Sequence, residues 1–342
     1  MGLLKLYPDQ MEDNNSAVAY GNRLIASTLF HPLNYTKVLM QLGHEPMPLG
    51  MGRTMIYFGS ERYILPNAIG YMRHIYNRDG LLGLFNGWNA SIGSSLCGMF
   101  AYKKAYEYLD KRFPDKELTE EEAKTQFFDR TLAQLSKQTV AKAVSLVAAR
   151  PLRVIMLRTM AEFIGQEGIY SHGIVQSAKT IYKESGFLGF FRGLMPELIA
   201  EICLMWITAH ASLFIEKLYN DLIAPRMEVE EAETEGIMED PLTARQMFRH
   251  TLSLVIPYAT SSFFYPFHLT SVLMAVNNCG LQCGQPPNCP VFGDWQNCFE
   301  YLKTTGQMKR GSKLFFRCYD GPVTYRNREF YAASAFPVQE LR

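Results

Sequence analysis

The chain has 342 residues and a formal net charge of +1, with 34 Lys and Arg against 33 Asp and Glu. This balance offers no basic surplus for nucleic acid, and the length fits two soluble domains or one membrane domain. The chain has no phosphate-binding G-x-x-x-x-G-K-[ST] or G-x-G-x-x-G pattern and no catalytic triad or metal-ligand cluster, so we expect neither an enzyme nor a bound cofactor or metal.

The N-terminal segment, residues 1–15, reads "MGLLKLYPDQMEDNN". It is acidic and lacks the Arg-rich amphipathic pattern of a transit peptide, so we expect no cleaved presequence. Any membrane address then has to be internal.

Five helix-length segments follow. From residue 251 to 276 there is no Asp, Glu, Lys or Arg, and this run exceeds the ~20 residues that span a bilayer. Three of the other four segments contain isolated charges, as a bundle with a polar interior would. The fourth, Trp88–Tyr102, is rich in Gly, Ala and Ser, as close helix–helix packing requires. The five predicted spans are Ser16–Thr36, Trp88–Tyr102, Leu132–Leu157, Leu194–Ile215 and Thr251–Val276.

Three of these segments share a proline motif. Pro32 lies in "HPLNYTK", Pro151 in "RPLRVIM" and Pro266 in "YPFHLTS", at intervals of 119 and 115 residues. A proline inside a helix removes a backbone hydrogen bond and kinks the axis. Its recurrence predicts an internal threefold repeat with one kinked helix in each copy.

A second element follows each proline. It reads "DGLLGLFNGW" in the first copy and "ESGFLGFFRGL" in the second, whereas the third, "TTGQMKRGSKLFFRCY", is marked only by Phe315, Phe316 and Arg317. Between the two elements lie short amphipathic segments such as "NAIGYMRHIYN" and "GIVQSAKTIYKES", which suit a membrane interface.

This architecture resembles the mitochondrial carrier superfamily, whose signature is P-x-[DE]-x-x-[KR]-x-[KR], then [DE]-G, then [WFY]-[KR]-G. The resemblance implies an all-α membrane fold in which three kinked helices meet to close one end of a cavity. The matching residues are Pro32, Lys37, Asp79, Gly80, Phe85 and Gly87 in the first copy, Pro151, Arg158, Glu184, Gly186, Phe191, Arg192 and Gly193 in the second, and Pro266 in the third.

The gate of such carriers is degenerate in this chain. Family members place an acid two residues and a base five residues after each proline. Here no acid occupies the first position, and only Lys37 keeps the base. Without acid–base pairs to form and break, we expect this gate to lack a closing interaction. The degenerate gate residues are Asn34, Arg153, Met156, Arg158 and Ser271.

The sixth helix of a carrier is also missing. The segment that follows Cys318, "YDGPVTYRNREFYAASAFPVQELR", is charged, contains two prolines and cannot span a bilayer. We therefore predict five spanning helices around a polar groove that opens sideways to lipid. The predicted organisation is an N-terminal tail (1–15), repeat 1 (16–110), a linker (111–125), repeat 2 (126–221), an acidic loop (222–242), a degenerate repeat 3 (243–318) and a polar tail (319–342).

The phrases "TKVLMQLGHEP", "LRTMAEFIG" and "LMAVNNCGL" are similar to the outer-membrane insertase branch of this superfamily. That resemblance implies a multi-pass protein of the mitochondrial outer membrane. It implies that the protein inserts tail-anchored and signal-anchored α-helical clients into the lipid bilayer and docks BH3-type apoptotic proteins. The repeat alone would equally suit a solute carrier that exchanges a small metabolite.

Glu201 is the foremost candidate groove residue. It lies in the middle of the fourth span, one turn after Glu197, and an acid inside a membrane is a functional hypothesis by default. The alternative is a structural partner for Lys137 or Lys142. Glu197 lies nearer the helix start, where it would simply favour the positive end of the helix dipole.

The remaining candidates carry alternatives of their own. Lys37 would bind acidic flanks or extend to the interface, and His268 is more typical of a satisfied polar site than of a proton relay. Arg153 and Arg158 would form a basic rim or a solvated helix end, and the tyrosines would reach across the groove or pack as ordinary aromatics. The groove set is completed by Arg23, Lys137, Lys142, Tyr258 and Tyr265.

Three cysteines cluster in "CGLQCGQPPNC": Cys279, Cys283 and Cys289. Their spacing fits no familiar zinc pattern, so free thiols are favoured, with a disulfide left open. The acidic stretch "EVEEAETEGIMED", Glu228–Asp240, is typical of a solvated loop.

Overall fold

The computed structural model describes residues 15–53, 60–114, 127–218, 241–286 and 288–333. Residues 1–14, most of the linker and residues 222–240 of the acidic loop lie outside this part of the chain. The helices are α1 (Asn15–Leu29), α2 (His31–Leu42), α3 (Ala68–Gly83), α4 (Trp88–Arg112), α5 (Phe127–Gly165), α6 (Ile174–Ser185), α7 (Leu194–Leu218), α8 (Pro241–Val276) and α9 (Trp295–Thr304). The strands are β1 (Gly50–Arg53), β2 (Glu61–Ile64), β3 (Cys318–Tyr319), β4 (Val323–Arg326) and β5 (Glu329–Ala332).

The three prolines lie in the helices where the repeat places them. Pro32 stands in the first turn of α2, which a break at Phe30 separates from α1; a proline fits there because its missing N–H would be unpaired anyway. Pro151 lies inside α5, of 39 residues, and Pro266 inside α8, of 36 residues. The short amphipathic segments form α3 and α6, and α9 is their counterpart in the third repeat.

The helices pack as a bundle with two unlike halves. Helices α2, α5 and α8 contact one another, α4 packs along α5, and α7 packs along α8. One continuous core fills what we call the packed end: α2, residues 150–165 of α5, residues 269–276 of α8 and the three short helices. The first turn of α7 and the strands adjoin this core. Leu39, Leu157 and Leu269 lie at its centre, each at most 2% exposed. The rest of α5, α7 and α8, together with α1 and α4, forms the open half.

The prediction of an all-α fold is wrong for the C-terminal segment and for the strands Gly50–Arg53 and Glu61–Ile64 of repeat 1. β1, β2 and β3 form an antiparallel sheet in which Ile64 pairs with Cys318, and β4 pairs with β5 as a hairpin. The backbone N–H of Leu65 donates to the Arg317 carbonyl at 2.8 Å. The described part of the tail satisfies its backbone groups by pairing with repeat 1 and within its own hairpin.

The described chain continues from α9 to residue 333 as turns and strands without a further helix. Among the described residues, no helix unites the length and the apolar character of a membrane-crossing segment. The five spans therefore stay a prediction.

All seven cysteines are free thiols, as the spacing favoured. Cys279, Cys283 and Cys298 are buried at the packed end. Burial raises the pKa of Cys298 to about 12, because a thiolate would lose its hydration there.

Candidate functional site

Glu197 is the centre of a buried cluster that joins three helices. It lies in the first turn of α7 and is 1% exposed. Its two carboxylate oxygens pair with the guanidinium groups of Arg150 and Arg153 on α5. Arg150 also donates to the Ser271 hydroxyl on α8 at 2.9 Å and to the Arg192 carbonyl at 3.1 Å. These contacts define the arginine cluster: Arg150, Arg153, Glu197 and Ser271.

This cluster corrects two expectations. The gate does have a closing interaction, because Arg153, two residues after Pro151, pairs with an acid from another helix rather than with a gate residue. Glu197 does more than favour the helix dipole, since it neutralises a guanidinium that is 1% exposed. A buried charge of that kind is tolerated only when it is paired and hydrogen-bonded.

Glu201 forms a second cluster one helical turn further into the open half. Its Oε2 lies 3.0 Å from Lys142 Nζ on α5, and its Oε1 lies 3.7 Å from His268 Nε2 on α8. These three side chains, the groove cluster, are each about a quarter exposed: 23%, 23% and 24% for Glu201, Lys142 and His268. Lys142 is thus the partner that the structural alternative anticipated, while the pair keeps access to solvent.

Lys37 approaches both clusters from α2. Its Nζ lies 5.8 Å from the centre of the Tyr265 ring, a cation–π distance. The Tyr265 hydroxyl accepts a hydrogen bond from Gln41 at 3.0 Å and donates to the Arg310 carbonyl at 2.6 Å. Within the described part of the chain, no carboxylate forms an ion pair with Lys37.

Three glycines with positive φ close the packed end in a cyclic order. Each belongs to the second element of one repeat and lies against the proline-containing helix of the next. A Cβ atom at Gly193, where φ is 72°, would lie 2.5 Å from the Ser271 carbonyl oxygen. The three contacts are Gly87 with Met156, Gly193 with Ser271, and Gly311 with Gln41.

The residue before each glycine donates to the same neighbouring helix or its end. The three hydrogen bonds are Asn86 to the Thr159 carbonyl at 3.2 Å, Arg192 to the Asn277 carbonyl at 2.7 Å, and Arg310 to the Gln41 carbonyl at 2.9 Å. Burial lowers the pKa of the Arg310 guanidinium. The third copy of the element is therefore marked by Arg310 and Gly311 rather than by Phe315, Phe316 and Arg317.

Arg317 has a different task. Its guanidinium forms a buried ion pair with Glu45, which follows α2, and donates to the Pro66 carbonyl at 3.0 Å. It thereby fastens the C-terminal segment to repeat 1.

The other predicted residues are dispersed. Arg158 is 0% exposed and donates to the Ala275 carbonyl at 3.0 Å and the Tyr170 hydroxyl at 3.1 Å, so it is neither a basic rim nor a solvated helix end. Lys137, 8% exposed, pairs with Asp110 at 3.1 Å. Tyr258 is 79% exposed and stands apart from both clusters.

Two further predictions are placed as follows. Asn34 is exposed on α2, and the side chain of Arg23 lies outside the described residues. The reading of the sequence missed Arg150, Arg310 and Glu45. Only Arg310 had a signal, the "KRG" of the third copy, which matches the [KR]-G of the second element.

Comparison with known proteins gives a consistent picture. The family model described as "Mitochondrial carrier protein" matches residues 15–117 and 129–218. Mitochondrial carrier homolog 2 of Mus musculus is 34% identical over 91% of this chain and 98% of its own length. Mitochondrial carrier homolog 1 of Mus musculus is 35% identical over 85% and 74%. The mitochondrial thiamine pyrophosphate carrier 1 of Neurospora crassa is 30% identical over 51% of each chain.

Proposed function

The chain belongs to the mitochondrial carrier family, and from that premise we propose that it inserts α-helical proteins into the mitochondrial outer membrane. Family membership indicates a mitochondrial membrane protein with a role in transport rather than catalysis. The proposed clients are tail-anchored and signal-anchored proteins, which carry one apolar helix with polar flanks. BH3-type apoptotic proteins are proposed partners of the same protein.

One observation carries this proposal. The groove cluster of Glu201, Lys142 and His268 keeps about a quarter of each side chain exposed in the interior of the bundle. After α9 the described chain turns back as strands, where a carrier would continue into a sixth helix. We propose that the five long helical segments leave this polar wall open towards lipid.

The outer surface of the open half supports contact with lipid. Large apolar side chains there are exposed, including Phe100 at 66%, Phe214 at 67% and Phe263 at 75%. Exposed apolar surface spread over several helices is expensive in water and stable in hydrocarbon.

The proposed insertion mechanism involves no chemical reaction. A charged flank that enters hydrocarbon alone costs a few kcal/mol or more. A hydrated groove offers such a flank the carboxylate of Glu201 or the ammonium of Lys142 as temporary partners. Because that pair is partly exposed, its exchange for a client's charge changes the free energy little. The apolar helix of the client then partitions sideways into lipid.

The packed end supports insertion over solute exchange. An exchanger has to open both ends of its cavity in turn. Here one end is a continuous apolar core, fastened by the buried Glu197 and Glu45 ion pairs. Opening this end would expose the apolar core to water and leave buried charges without their partners. The similarity to a thiamine pyrophosphate carrier keeps exchange of a small metabolite as the second candidate.

Reconstitution tests both candidates. We expect the full chain in liposomes to insert a tail-anchored client without nucleotide, and to give no flux of nucleotides or keto acids in the same vesicles. Insertion no faster than in empty liposomes contradicts the proposal. Flux without insertion would favour the solute carrier.

The groove cluster is tested by Glu201→Lys. Reversal of this charge beside Lys142 should change the insertion rate several-fold, because the exchangeable partner is lost. The matched control is Glu300→Lys on the exposed surface of α9, which should insert at the wild-type rate. An unchanged rate for Glu201→Lys removes Glu201 from the mechanism.

A further inference from the structure

The inner end of the groove carries more positive than negative charge. The arginine cluster, the groove cluster and Lys37 together contain four cations and two carboxylates. The cations are Lys37, Lys142, Arg150 and Arg153, and the carboxylates are Glu197 and Glu201. Both carboxylates already have partners, so the surplus falls on Lys37 and on the exposed edge of Arg153.

The surplus lies where α2, α5 and α8 contact one another. Lys37 is half-buried on α2 with its ammonium over the Tyr265 ring of α8. Arg153 is held on α5 by Glu197, and the two cations are near enough to interact electrostatically. Arg153 is 37% exposed and uses one nitrogen on Glu197, which leaves other guanidinium N–H groups available. The Tyr265 ring beside Lys37 supplies a π-face and no negative charge.

Two neighbouring cations, of which only Arg153 has a carboxylate partner, are an unfavourable arrangement. Their mutual repulsion and partial desolvation both fall when an anion arrives. A carboxylate suits the position best, because its two oxygens would accept from the ammonium of Lys37 and from the guanidinium edge of Arg153 at once.

We infer that Lys37 and Arg153 form a seat for a carboxylate of the client, a role that rests on the proposed insertase function. A tail-anchored client ends soon after its apolar helix, so its chain-terminal carboxylate must accompany that helix into the membrane. This charge is common to such clients whatever their sequence. The seat would neutralise it at the inner end of the groove, and an acidic flank would be held in the same way.

A binding measurement tests the seat by itself. The probe is a fluorescent peptide with one apolar helix, made with a free C-terminal carboxylate or with an amide, and titrated onto the detergent-solubilised full chain. We expect the acid to bind about tenfold tighter than the amide, as for hydrogen bonds to charged groups. Lys37→Gln should abolish the difference and Lys37→Arg should keep it, whereas Lys104→Gln, on the exposed surface of α4, should leave it unchanged.

Two results would overturn the seat: equal affinity of the wild type for acid and amide, or an equal loss for both peptides in Lys37→Gln. Insertion of the same peptides into phosphatidylcholine vesicles separates the two proposals. An acid preference in binding without any insertion leaves the seat standing and removes the insertase. Insertion at equal rates for acid and amide leaves the insertase standing and removes the seat.

Discussion

The packed end and the open half contain the same types of charged residue, but the charges are buried at the packed end and partly exposed in the open half. At the packed end, Glu197 and Arg150 are each 1% exposed, and their charges are neutralised and hydrogen-bonded from three helices. In the open half, Glu201 and Lys142 form a pair of similar chemistry that is 23% exposed. The two acids stand one helical turn apart, so local sequence cannot set the contrast. Enclosure of Glu197 by α5, α8 and the segment before α7 sets it. A charge inside that enclosure becomes structural, and a charge just outside it stays exchangeable.

The largest expected effect comes from removing the enclosed acid. Glu197→Gln leaves the guanidinium of Arg150 buried without a counter-charge, which should lower the free energy of unfolding by about 3–5 kcal/mol. Glu201→Gln is the matched variant one turn away and should cost under about 1 kcal/mol. Thermal unfolding in detergent measures both, and equal losses would erase the distinction between the two regions.

A smaller loss is expected from the close contact at Gly193. In Gly193→Ala the new methyl group meets the Ser271 carbonyl oxygen at 2.5 Å, and overpacking together with the positive φ should cost about 2–4 kcal/mol. Gly168 has a similar φ of 68° and no atom within 4 Å of its Cβ position. Gly168→Ala should therefore cost only about 1–2 kcal/mol. Equal melting temperatures for the two variants would mean that the packed end tolerates an added methyl group.

Thiol labelling compares a cysteine buried at the packed end with an exposed cysteine. We expect maleimide to modify the exposed Cys318 at least about a hundredfold faster than the buried Cys298, because only thiolate reacts. With its pKa raised to about 12, Cys298 stays almost wholly protonated as pH rises from 7 to 9. Its labelling should thus remain slow across that range. Mass spectrometry of timed samples gives the rates, and fast labelling of Cys298 would show that the packed end opens.

The smallest effect is expected for an exposed ion pair that joins the C-terminal segment to repeat 1. Arg62 and Asp320 lie 3.2 Å apart with side chains 47% and 69% exposed. Asp320→Asn should change the free energy of unfolding by less than about 0.5 kcal/mol, since solvent and salt screen such pairs. A loss comparable to that of Glu197→Gln would mean that the Arg62–Asp320 pair is enclosed in the folded protein.

Much of the scaffold could be predicted because it depends on local patterns. Pro32, Pro151 and Pro266 mark the three repeats directly, and the amphipathic segments after them form α3 and α6 as expected. The prediction of the third repeat was less accurate. Its glycine follows the preceding left-handed glycine by five residues (306 to 311) rather than seven (80 to 87), so the match shifted towards Phe315.

The sequence predicted several residues of the candidate site, but it did not predict most of their ion-pair partners. Glu201, Lys142 and His268 were all named, and the structure brings them together. Arg150 was missed because the family signature begins at the proline and assigns no role to the residue before it. Glu197 was underrated because its position near a helix start already had a sufficient local explanation.

The sequence by itself determined the threefold repeat, the helical segments and the charged, proline-containing character of the tail. These features follow from proline chemistry, helical periodicity and apolar length, which act over a few neighbouring residues. Only the tertiary structure decided that Glu197 is enclosed and Glu201 is not, and that Arg317 fastens the tail to Glu45 across 272 residues of chain. Burial and ion pairing between distant segments depend on which surfaces meet, and no local pattern specifies that.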